Sequence, residues 1–372
     1  MLKNFCISTD FLLKTISQLS ELDKIKENKI KEVFGNITPS IFSSGRSELY
    51  LPKCNIEELA IYISYAHKHG IEFNYTLNGI CMSNQEFDSC GYKKLLNFVS
   101  DLIDIGVDRF TISSPVLMNI LSTHFKNIKI TASAICQINS LSMARDYAGI
   151  GGVDRLVIFE DSTRNFQLLK KIHKELGIEM EIIVNQPCQF GCIYRNFHRI
   201  GLSHESIDES GKFKIDDYYQ VCWKKKLANP SEMLKIPTII RPEDLHHYEM
   251  AGVKYFKIVD RMIKSINIKI IESYMDESYE GNLFDILPGE FNALYLDNSE
   301  MNGFIDYFLN EKNICHIGCS NCGYCDSYAK KIIVSEERVE KKLNKVESDI
   351  RDFLEDGPKE STDSWRHILS NC

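Results

Sequence analysis

Four cysteines fall within eleven residues near the end of this 372-residue chain, at Cys315, Cys319, Cys322 and Cys325. Thiolates bind soft metals such as zinc and hold iron–sulfur clusters, and short loops between them wrap the ligands around one centre. Zinc sites usually separate two Cys-x-x-Cys pairs by a longer loop, whereas ferredoxins carry successive cysteines at short spacing. The spacing therefore favours an iron–sulfur cluster. Zinc is the alternative, and His316 can replace one thiol.

A second group consists of Cys188 and Cys192, joined thirty residues later by Cys222. Three protein ligands leave one position open, as in catalytic metal sites where water or substrate completes the coordination. The alternative is that these are apolar cysteines of the core. The sequence leaves open whether the chain holds one cluster or two.

The fourth ligand of this second group is also open in the sequence. The C-terminal cysteines can supply it, and so can several residues elsewhere in the chain, which are Cys54, Cys81, Cys90, His198 and His204.

The spacing Cys315-x-x-x-Cys319-x-x-Cys322 also matches the motif of radical enzymes that use S-adenosylmethionine. In that superfamily the motif follows the first strand of a barrel. Here it comes after the last predicted strand, and this context disfavours the interpretation.

Arg241 follows an apolar run that predicts a strand, and its planar guanidinium is suited to a carboxylate or a phosphate. Arg46, in Ser-Gly-Arg, can act in the same way. The two arginines predict an anionic small-molecule or peptide substrate. Glu243 is a further catalytic candidate, although Pro242, Glu243 and Asp244 together make a regular helix start.

Asn185 and His198 complete the predicted catalytic set. Asn185 ends a predicted strand, and His198 can act as an acid–base group or as a ligand. A histidine in a loop is more often an ordinary hydrogen-bonded side chain, so this assignment depends on where the fold places it.

The elements that must position these residues alternate along the chain as strands and amphipathic helices. Such repeats indicate a parallel sheet, and eight of them fit an α/β fold of the (β/α)8 TIM-like barrel type. An open doubly wound sheet is the alternative, weakened because no Gly-rich phosphate loop follows an early strand. The strand-like runs are 32–37, 72–77, 109–112, 128–132, 155–159, 181–184, 237–240 and 255–259.

Polar residues such as Asn78, Ser133 and Glu160 follow several of these runs, at the strand ends where barrel active sites gather. Loop starts are polar in any protein, which is the simpler explanation. The connection 186–236 is unusually long, and long connections in compact domains are usually functional. Because it contains Cys188, Cys192 and Cys222, the sequence predicts a site at the mouth of the barrel.

The chain divides into four predicted parts, which are a helical N-terminal extension (1–30), the barrel with its long insertion (31–279), a cysteine-rich C-terminal segment (280–334) and a charged helical tail (335–372). The charge run in the tail indicates a solvated helix face, with a surface for a partner protein as the alternative.

The composition and charge indicate which partners and which cellular location to expect. A net charge of -8 and a pI of about 5.8 disfavour nonspecific nucleic-acid binding, although a local basic patch leaves RNA open. The sequence contains no run of eighteen apolar residues, so we expect no membrane insertion. The N-terminus does not resemble a signal peptide. We therefore expect a cytoplasmic protein, where grouped cysteines are metal ligands rather than disulfides.

Several short motifs occur in a specific order along roughly residues 35–332. They are Ser44-Gly-Arg46, Thr76-Leu-Asn78, Gly106-Val-Asp108, Asn185 to Cys192, Ile240 to Leu245, Gly281-Asn-Leu283 and Cys319-x-x-Cys322-Gly-Tyr-Cys325. In this order they resemble the collagenase-like peptidase family U32. One departure is that Asn185-Gln186-Pro187 precedes Cys188 where the family has His-Gly before a cysteine.

The resemblance implies a [4Fe–4S] cluster and oxygen-independent hydroxylation, as in relatives of ubiquinone biosynthesis and RNA modification, with the dicarboxylate prephenate as oxygen donor. We accordingly expect an iron–sulfur oxidoreductase that modifies a small molecule, a peptide or an RNA base. Because the ubiquinone-pathway relatives work as pairs, the alternative is a noncatalytic cluster- or zinc-binding partner subunit. A peptidase is the third interpretation, and the sequence shows no hydrolytic motif for it.

Overall fold

The computed structural model describes residues 2–38, 40–46, 51–207, 216–259, 266–289, 291–310, 315 and 322–356. Eight parallel strands close into a barrel in chain order, and the first strand pairs with both the second and the eighth. The predicted (β/α)8 fold is confirmed. The strands are Asn4–Ser8 (β1), Lys29–Gly35 (β2), Glu72–Leu77 (β3), Arg109–Ile112 (β4), Ile130–Ala132 (β5), Val153–Val157 (β6), Glu179–Ile183 (β7) and Val253–Ile258 (β8).

Helices follow the strands and cover the outside of the barrel. Local sequence explains their starts: Asn55 and Glu58 form a reciprocal capping box, and Ser114 caps a helix whose first residue is Pro115. Their bounds are Leu13–Ile25 (α1), Ile56–Lys68 (α2), Ser89–Asp104 (α3), Pro115–His124 (α4), Leu141–Ala148 (α5), Phe166–Leu176 (α6), Arg195–Glu205 (α7), Asp216–Ala228 (α8), Ser231–Leu234 (α9), Leu245–Met250 (α10) and Ile268–Asp276 (α11).

The core has two layers because successive side chains of a strand point to opposite faces. Outward-facing residues of the strands pack with the helices in one large hydrophobic cluster. A smaller cluster, which includes Phe34, Val157 and Ile183, fills part of the barrel interior. None of the helices within the described ranges is long and apolar enough to cross a membrane.

The predicted helical extension 1–30 is wrong at its beginning, because Asn4–Ser8 is the first strand of the barrel. The pattern from Phe11 to Ile25 is helical and produces α1, but the short run Phe5-Cys6-Ile7 belongs to the sheet. Its position between β2 and β8 closes the barrel. The barrel therefore begins near residue 4 rather than at residue 31.

The predicted strand 237–240 is also wrong. β7 and β8 pair directly with each other, so no strand can lie between them. Residues 237–240 are buried above them, where Ile239 forms an isolated antiparallel bridge with Asn185. The long connection that starts at 186 consequently joins the seventh strand to the eighth, not the sixth to the seventh.

The C-terminal part packs against the α8–α9 region of the long connection. Its two short strands pair antiparallel, and the helix Glu336–Asp356 (α14) lies along α8. Of the predicted tail helix 335–372, Glu336–Asp356 is observed, and residues 357–372 lie outside the described residues. The elements are Leu294–Tyr295 (β9), Asp306–Leu309 (α12), Tyr324–Ala329 (α13), Ile333–Val334 (β10) and Glu336–Asp356 (α14).

Candidate functional site at the carboxyl ends of the strands

Helix α7 crosses the carboxyl ends of the barrel strands. The Ser203 hydroxyl accepts a hydrogen bond from the Ile80 amide at 2.9 Å, and the Ser206 hydroxyl accepts one from the Ser44 amide at 2.9 Å. These bonds tie α7 to the loops after β3 and β2. Because catalytic residues of (β/α)8 barrels come from this end, the inner face of α7 is part of the candidate site.

Two arginines one turn apart lie on that inner face, and both are buried. Arg199 Nη2 donates to Glu160 Oε1 at 2.6 Å, and Arg195 Nη2 donates to Asp161 Oδ1 at 2.6 Å. Both carboxylates lie in the short 3-10 helix Glu160–Ser162 that follows β6. The sequence predicted Glu160 as a polar residue at a strand end, but the two arginines were not among the predicted site residues. Their separation by four residues, which places them on one helix face, could have indicated them.

Three buried polar atoms in this cluster have no hydrogen-bond partner among the described residues. They are Nη1 of Arg199, Nε of Arg195 and Oε2 of Glu160. An unsatisfied buried donor or acceptor is costly and usually marks the place of a water, an ion or a ligand. The cluster therefore has the chemistry of a binding site for a polar group.

The thiol of Cys188 lies in the same electrostatic environment. Burial raises the pKa of the Cys188 thiol, and the nearby guanidinium of Arg195 opposes that effect. Glu160 and Cys222 act to raise this pKa further, while Arg199 acts to lower it. Cys188 and Cys222 are thus close enough to each other, and to both arginines, for their charges to interact.

All three thiols of this group come from the β7–β8 connection and are partly buried. Cys188 lies in the loop after β7, and the Cys192 carbonyl accepts the Arg195 amide at the start of α7 at 3.3 Å. Cys222 lies on α8, which Lys226 fastens to the Cys188 loop through a 2.5 Å bond to the Pro187 carbonyl. The structure thus brings the predicted ligands to one end of the barrel.

Cys6, Glu32 and Glu181 form a compact group inside the barrel. Their possible metal-ligand atoms all lie within 4.8 Å of one another, and this is the one such group among the described residues. A guanidinium nitrogen occupies the middle of this group. Arg155 Nη1 lies 3.0 Å from Glu32 Oε1 and 3.1 Å from Glu181 Oε2. The positive charge that a metal ion would supply comes from Arg155, which also stacks on Tyr255 at 3.5 Å.

The mouth thiols Cys188, Cys192 and Cys222 are not in such a compact group. The sulfurs around one tetrahedral zinc are about 3.8 Å apart, given Zn–S bonds of about 2.3 Å. In a cluster each cysteine binds a different iron, so the sulfurs are more widely spaced. Thiolates are ligands that both soft metal ions and iron–sulfur clusters use.

Arg241 and Glu243 bind other parts of the chain. Arg241 donates through Nε and Nη2 to Asp244 at 3.0 and 2.9 Å, and through Nη1 to the Asn298 carbonyl and the Asn302 side chain at 3.0 and 2.8 Å. Glu243 Oε1 accepts from the Asn298 amide side chain at 2.9 Å. Four of the five guanidinium donors are therefore used within the protein, a geometry that favours a structural role over an anion clamp.

The other predicted catalytic residues lie in different surroundings. Asn185 donates to the Val259 carbonyl at 2.9 Å and accepts from the Val259 amide at 2.8 Å, so it joins the ends of β7 and β8. The Arg46 guanidinium lies 5.3 Å from the centre of the Phe34 ring, at the mouth. His198 is on α7 and half-buried, between the two arginines in sequence.

The C-terminal cysteines converge on one tyrosine. Tyr307 Oη lies 3.1 Å from Cys322 Sγ, and this hydrogen bond, followed by burial and by the charges of Cys322, Cys315 and Cys325, raises the pKa of Tyr307 to about 12. Cys325 Sγ is also 3.6 Å from the Leu234 carbonyl at the end of α9. Cys319 and His316 lie outside the described residues.

Comparison with known proteins gives a partial family match. Residues 42–190 match the sequence profile of Peptidase family U32, which covers less than half of the chain and includes Cys188. The chain is also 29% identical over 325 residues to a protein of Methanocaldococcus jannaschii named as an uncharacterized protease, covering 86% of this chain and 94% of that protein.

A solved structure described as a U32 peptidase has a similar fold. It covers 69% of this chain and 92% of its own chain, with a TM-score of 0.50 and 15% sequence identity. Likeness at this level of identity supports the barrel architecture and carries no statement about activity.

Proposed function

We propose that this chain is an iron–sulfur enzyme of the U32 type that carries out oxygen-independent hydroxylation, or a related redox modification, of a small molecule, a peptide or an RNA base. The observation that carries the proposal is that Cys188, Cys192 and Cys222 all belong to the β7–β8 connection, at the carboxyl ends of the barrel strands. Barrel enzymes place their reacting groups at this end.

The cofactor in this proposal is a [4Fe–4S] cluster held by these three thiols, which leaves one iron open to a fourth ligand or to substrate. Bound there, the cluster would supply one-electron chemistry and an open coordination position. Arg195 and Arg199 support the assignment because their positive charges interact favourably with thiolates and with the net negative charge of a thiolate-bound cluster.

The substrate or oxygen donor in this proposal is anionic, and Arg195 and Arg199 bind it. Each guanidinium already makes an ion pair with a carboxylate, and each keeps one buried donor without a partner in the described structure, Nη1 of Arg199 and Nε of Arg195. A carboxylate is suited to such donors. This assignment replaces Arg241, whose donors are used within the chain, and retains Arg46 as a further cation at the mouth.

The four C-terminal cysteines form a second site in this proposal, as a second cluster or as zinc. The approach of Cys315, Cys322 and Cys325 to Tyr307 supports a shared centre. Folding of short cysteine-rich segments commonly depends on their metal, so we assign this site to holding the C-terminal part on α9.

A noncatalytic partner subunit is the second candidate function. A row of exposed apolar side chains on the outer face at α7 favours it: Ile193 is 79% exposed and Phe197 is 62% exposed, four residues apart. Exposed apolar patches beside a site often mark contacts with another protein. In this case the isolated chain would be inactive and would turn over substrate only with its partner.

The test is untargeted mass spectrometry of metabolites, RNA nucleosides and peptides from anaerobic cells that lack the gene. We expect a product carrying one additional oxygen atom to disappear and to return with the wild-type gene but not with Cys222→Ser. Peptide hydrolysis that survives in Cys188→Ser and Cys222→Ser, with no oxygenated product lost, would support the peptidase interpretation instead.

A further inference from the structure

Lys226 is a buried cation at the mouth that neither the proposed cluster ligands nor the arginine pair accounts for. It is 4% exposed and lies four residues after Cys222 on α8. Residues four apart lie on the same face of a helix. Lys226 and Cys222 therefore face the same direction, toward the loop that follows β7.

The ammonium of Lys226 makes a specific contact with that loop. Its Nζ donates to the carbonyl of Pro187 at 2.5 Å, and Pro187 is the residue directly before Cys188. Burial of an ammonium is unfavourable unless the group is hydrogen-bonded, so the contact fixes the helix against the loop. One hydrogen bond thus joins the backbone beside Cys188 to the helix that carries Cys222.

The two preceding lysines are in a different environment. Lys224 is about half exposed and pairs with Glu347 of α14 at 3.0 Å, and Lys225 is more than half exposed and pairs with Glu232 at 3.1 Å. Three consecutive lysines of one helix therefore differ sharply in burial. Lys224 provides a matched control for the loss of one positive charge from α8.

An adjacent face of α8 is held by the C-terminal part of the chain. Leu227 packs with Ala293 and with Val339 of α14, and the Trp223 ring lies 4.8 Å from the Phe291 ring. α8 is thus held from outside by apolar packing, which tolerates small shifts, and from inside by the directional bond of Lys226. The directional bond reaches the loop residue directly before Cys188.

We propose that Lys226 is a positioning residue that holds Cys222 next to Cys188 and so assembles the thiol group at the mouth. The inference rests on the proposed function for the purpose of that group. The geometry it asserts, however, is a property of the chain without any metal.

Thiol cross-linking of metal-free, reduced protein tests the geometry. Dibromobimane bridges two nearby thiols, and mass spectrometry of the digest identifies the bridged Cys188 and Cys222 peptides. We expect the bridge in wild type and in Lys224→Met. In Lys226→Met its yield falls about tenfold, the factor expected for loss of one hydrogen bond to a charged group. Lys226→Arg, which keeps a long cationic donor, restores most of the yield.

Equal bridging in Lys226→Met and Lys224→Met overturns the proposal, and so does wild-type protein without a Cys188–Cys222 bridge. Circular dichroism establishes that each variant is folded. If Lys226→Met is unfolded, Lys226→Gln, whose amide is too short to reach Pro187 in the same way, provides the same comparison. The cross-linking assay contains no iron. A Cys188–Cys222 bridge that depends on Lys226 would therefore support this inference even if the natively purified protein contained no iron, and the second observation would reject the proposed cluster.

Discussion

Arg199 of α7 donates to Glu160, the third residue after β6, across a distance of 2.6 Å. The two side chains are almost fully buried, at 9% and 2% exposure. This ion pair joins the helix that covers the mouth to the barrel beneath it. Arg199 keeps one buried donor without a partner among the described residues, and its charge acts to lower the pKa of the Cys188 thiol.

Replacing Glu160 tests the ion pair. Glu160→Gln removes the carboxylate charge and leaves Arg199 buried without its counter-charge, so we expect the free energy of unfolding to fall by about 3 kcal/mol. Urea denaturation followed by circular dichroism measures it. Asp146→Asn, at an exposed position on α5, is the control and should change stability little. Equal stabilities of Glu160→Gln and wild type would show that the pair contributes nothing.

The same pair predicts a pH dependence. Burial acts to raise the pKa of Glu160, but the charges of Arg199 and Arg195 outweigh it and the pKa lies below its ordinary value of 4.5. The pair therefore stabilises the folded state fully above that ordinary value, and the stabilisation is lost as the pH falls through the lowered pKa. The stability of Glu160→Gln should depend less on pH across this acid range than that of wild type.

Arg241 should behave as a structural residue. Arg241→Lys keeps the charge but loses the paired bonds to Asp244 and the bonds to residues 298 and 302, so we expect a loss of about 2–3 kcal/mol in unfolding free energy. Arg145→Lys is the control, because the exposed Arg145–Glu175 pair should contribute less than about 1 kcal/mol. A variant of Arg241 with normal stability but weakened binding of anions would restore it as a substrate clamp.

The C-terminal cysteines should hold their segment in place. Cys322→Ala removes a thiol that contacts Tyr307, and we expect it to lose metal and to make residues 322–356 sensitive to limited proteolysis. Cys90→Ala, at an exposed position on α3, is the control and should resist the protease as wild type does. Unchanged proteolysis and unchanged metal content in Cys322→Ala would exclude this residue as a ligand.

The barrel could be predicted because its signal repeats. Alternation of apolar runs and amphipathic helices recurs along the chain, and an error in one unit leaves the others intact. The two errors have a common cause. Asn4–Ser8 and residues 237–240 are both short buried runs, and a short apolar run does not reveal by itself whether it pairs within a sheet. Pairing with distant strands settles that question.

The candidate site was predictable in part. The placement of Cys188 and Cys192 after a strand followed from the sequence, because residues after parallel strands share one end of a barrel. The hydrogen bond from Lys226 of α8 to Pro187 could not be predicted from the sequence, because it joins residues that are 39 apart in the chain. The prediction for Arg241 failed for a related reason. A guanidinium after a predicted strand indicates that a carboxylate is bound there. The sequence does not show that Asp244 and the 298–302 segment of the same chain are the partners.

Iron and acid-labile sulfide counts on anaerobically purified protein test the central claim most directly. Wild type should be brown, with iron and sulfide in similar amounts, roughly four of each per cluster. Cys188→Ser and Cys222→Ser should each lose one cluster while the C-terminal site keeps its own metal. Colourless wild-type protein with zinc alone, or wild-type iron levels in both variants, would contradict a cluster on the thiols at the barrel mouth.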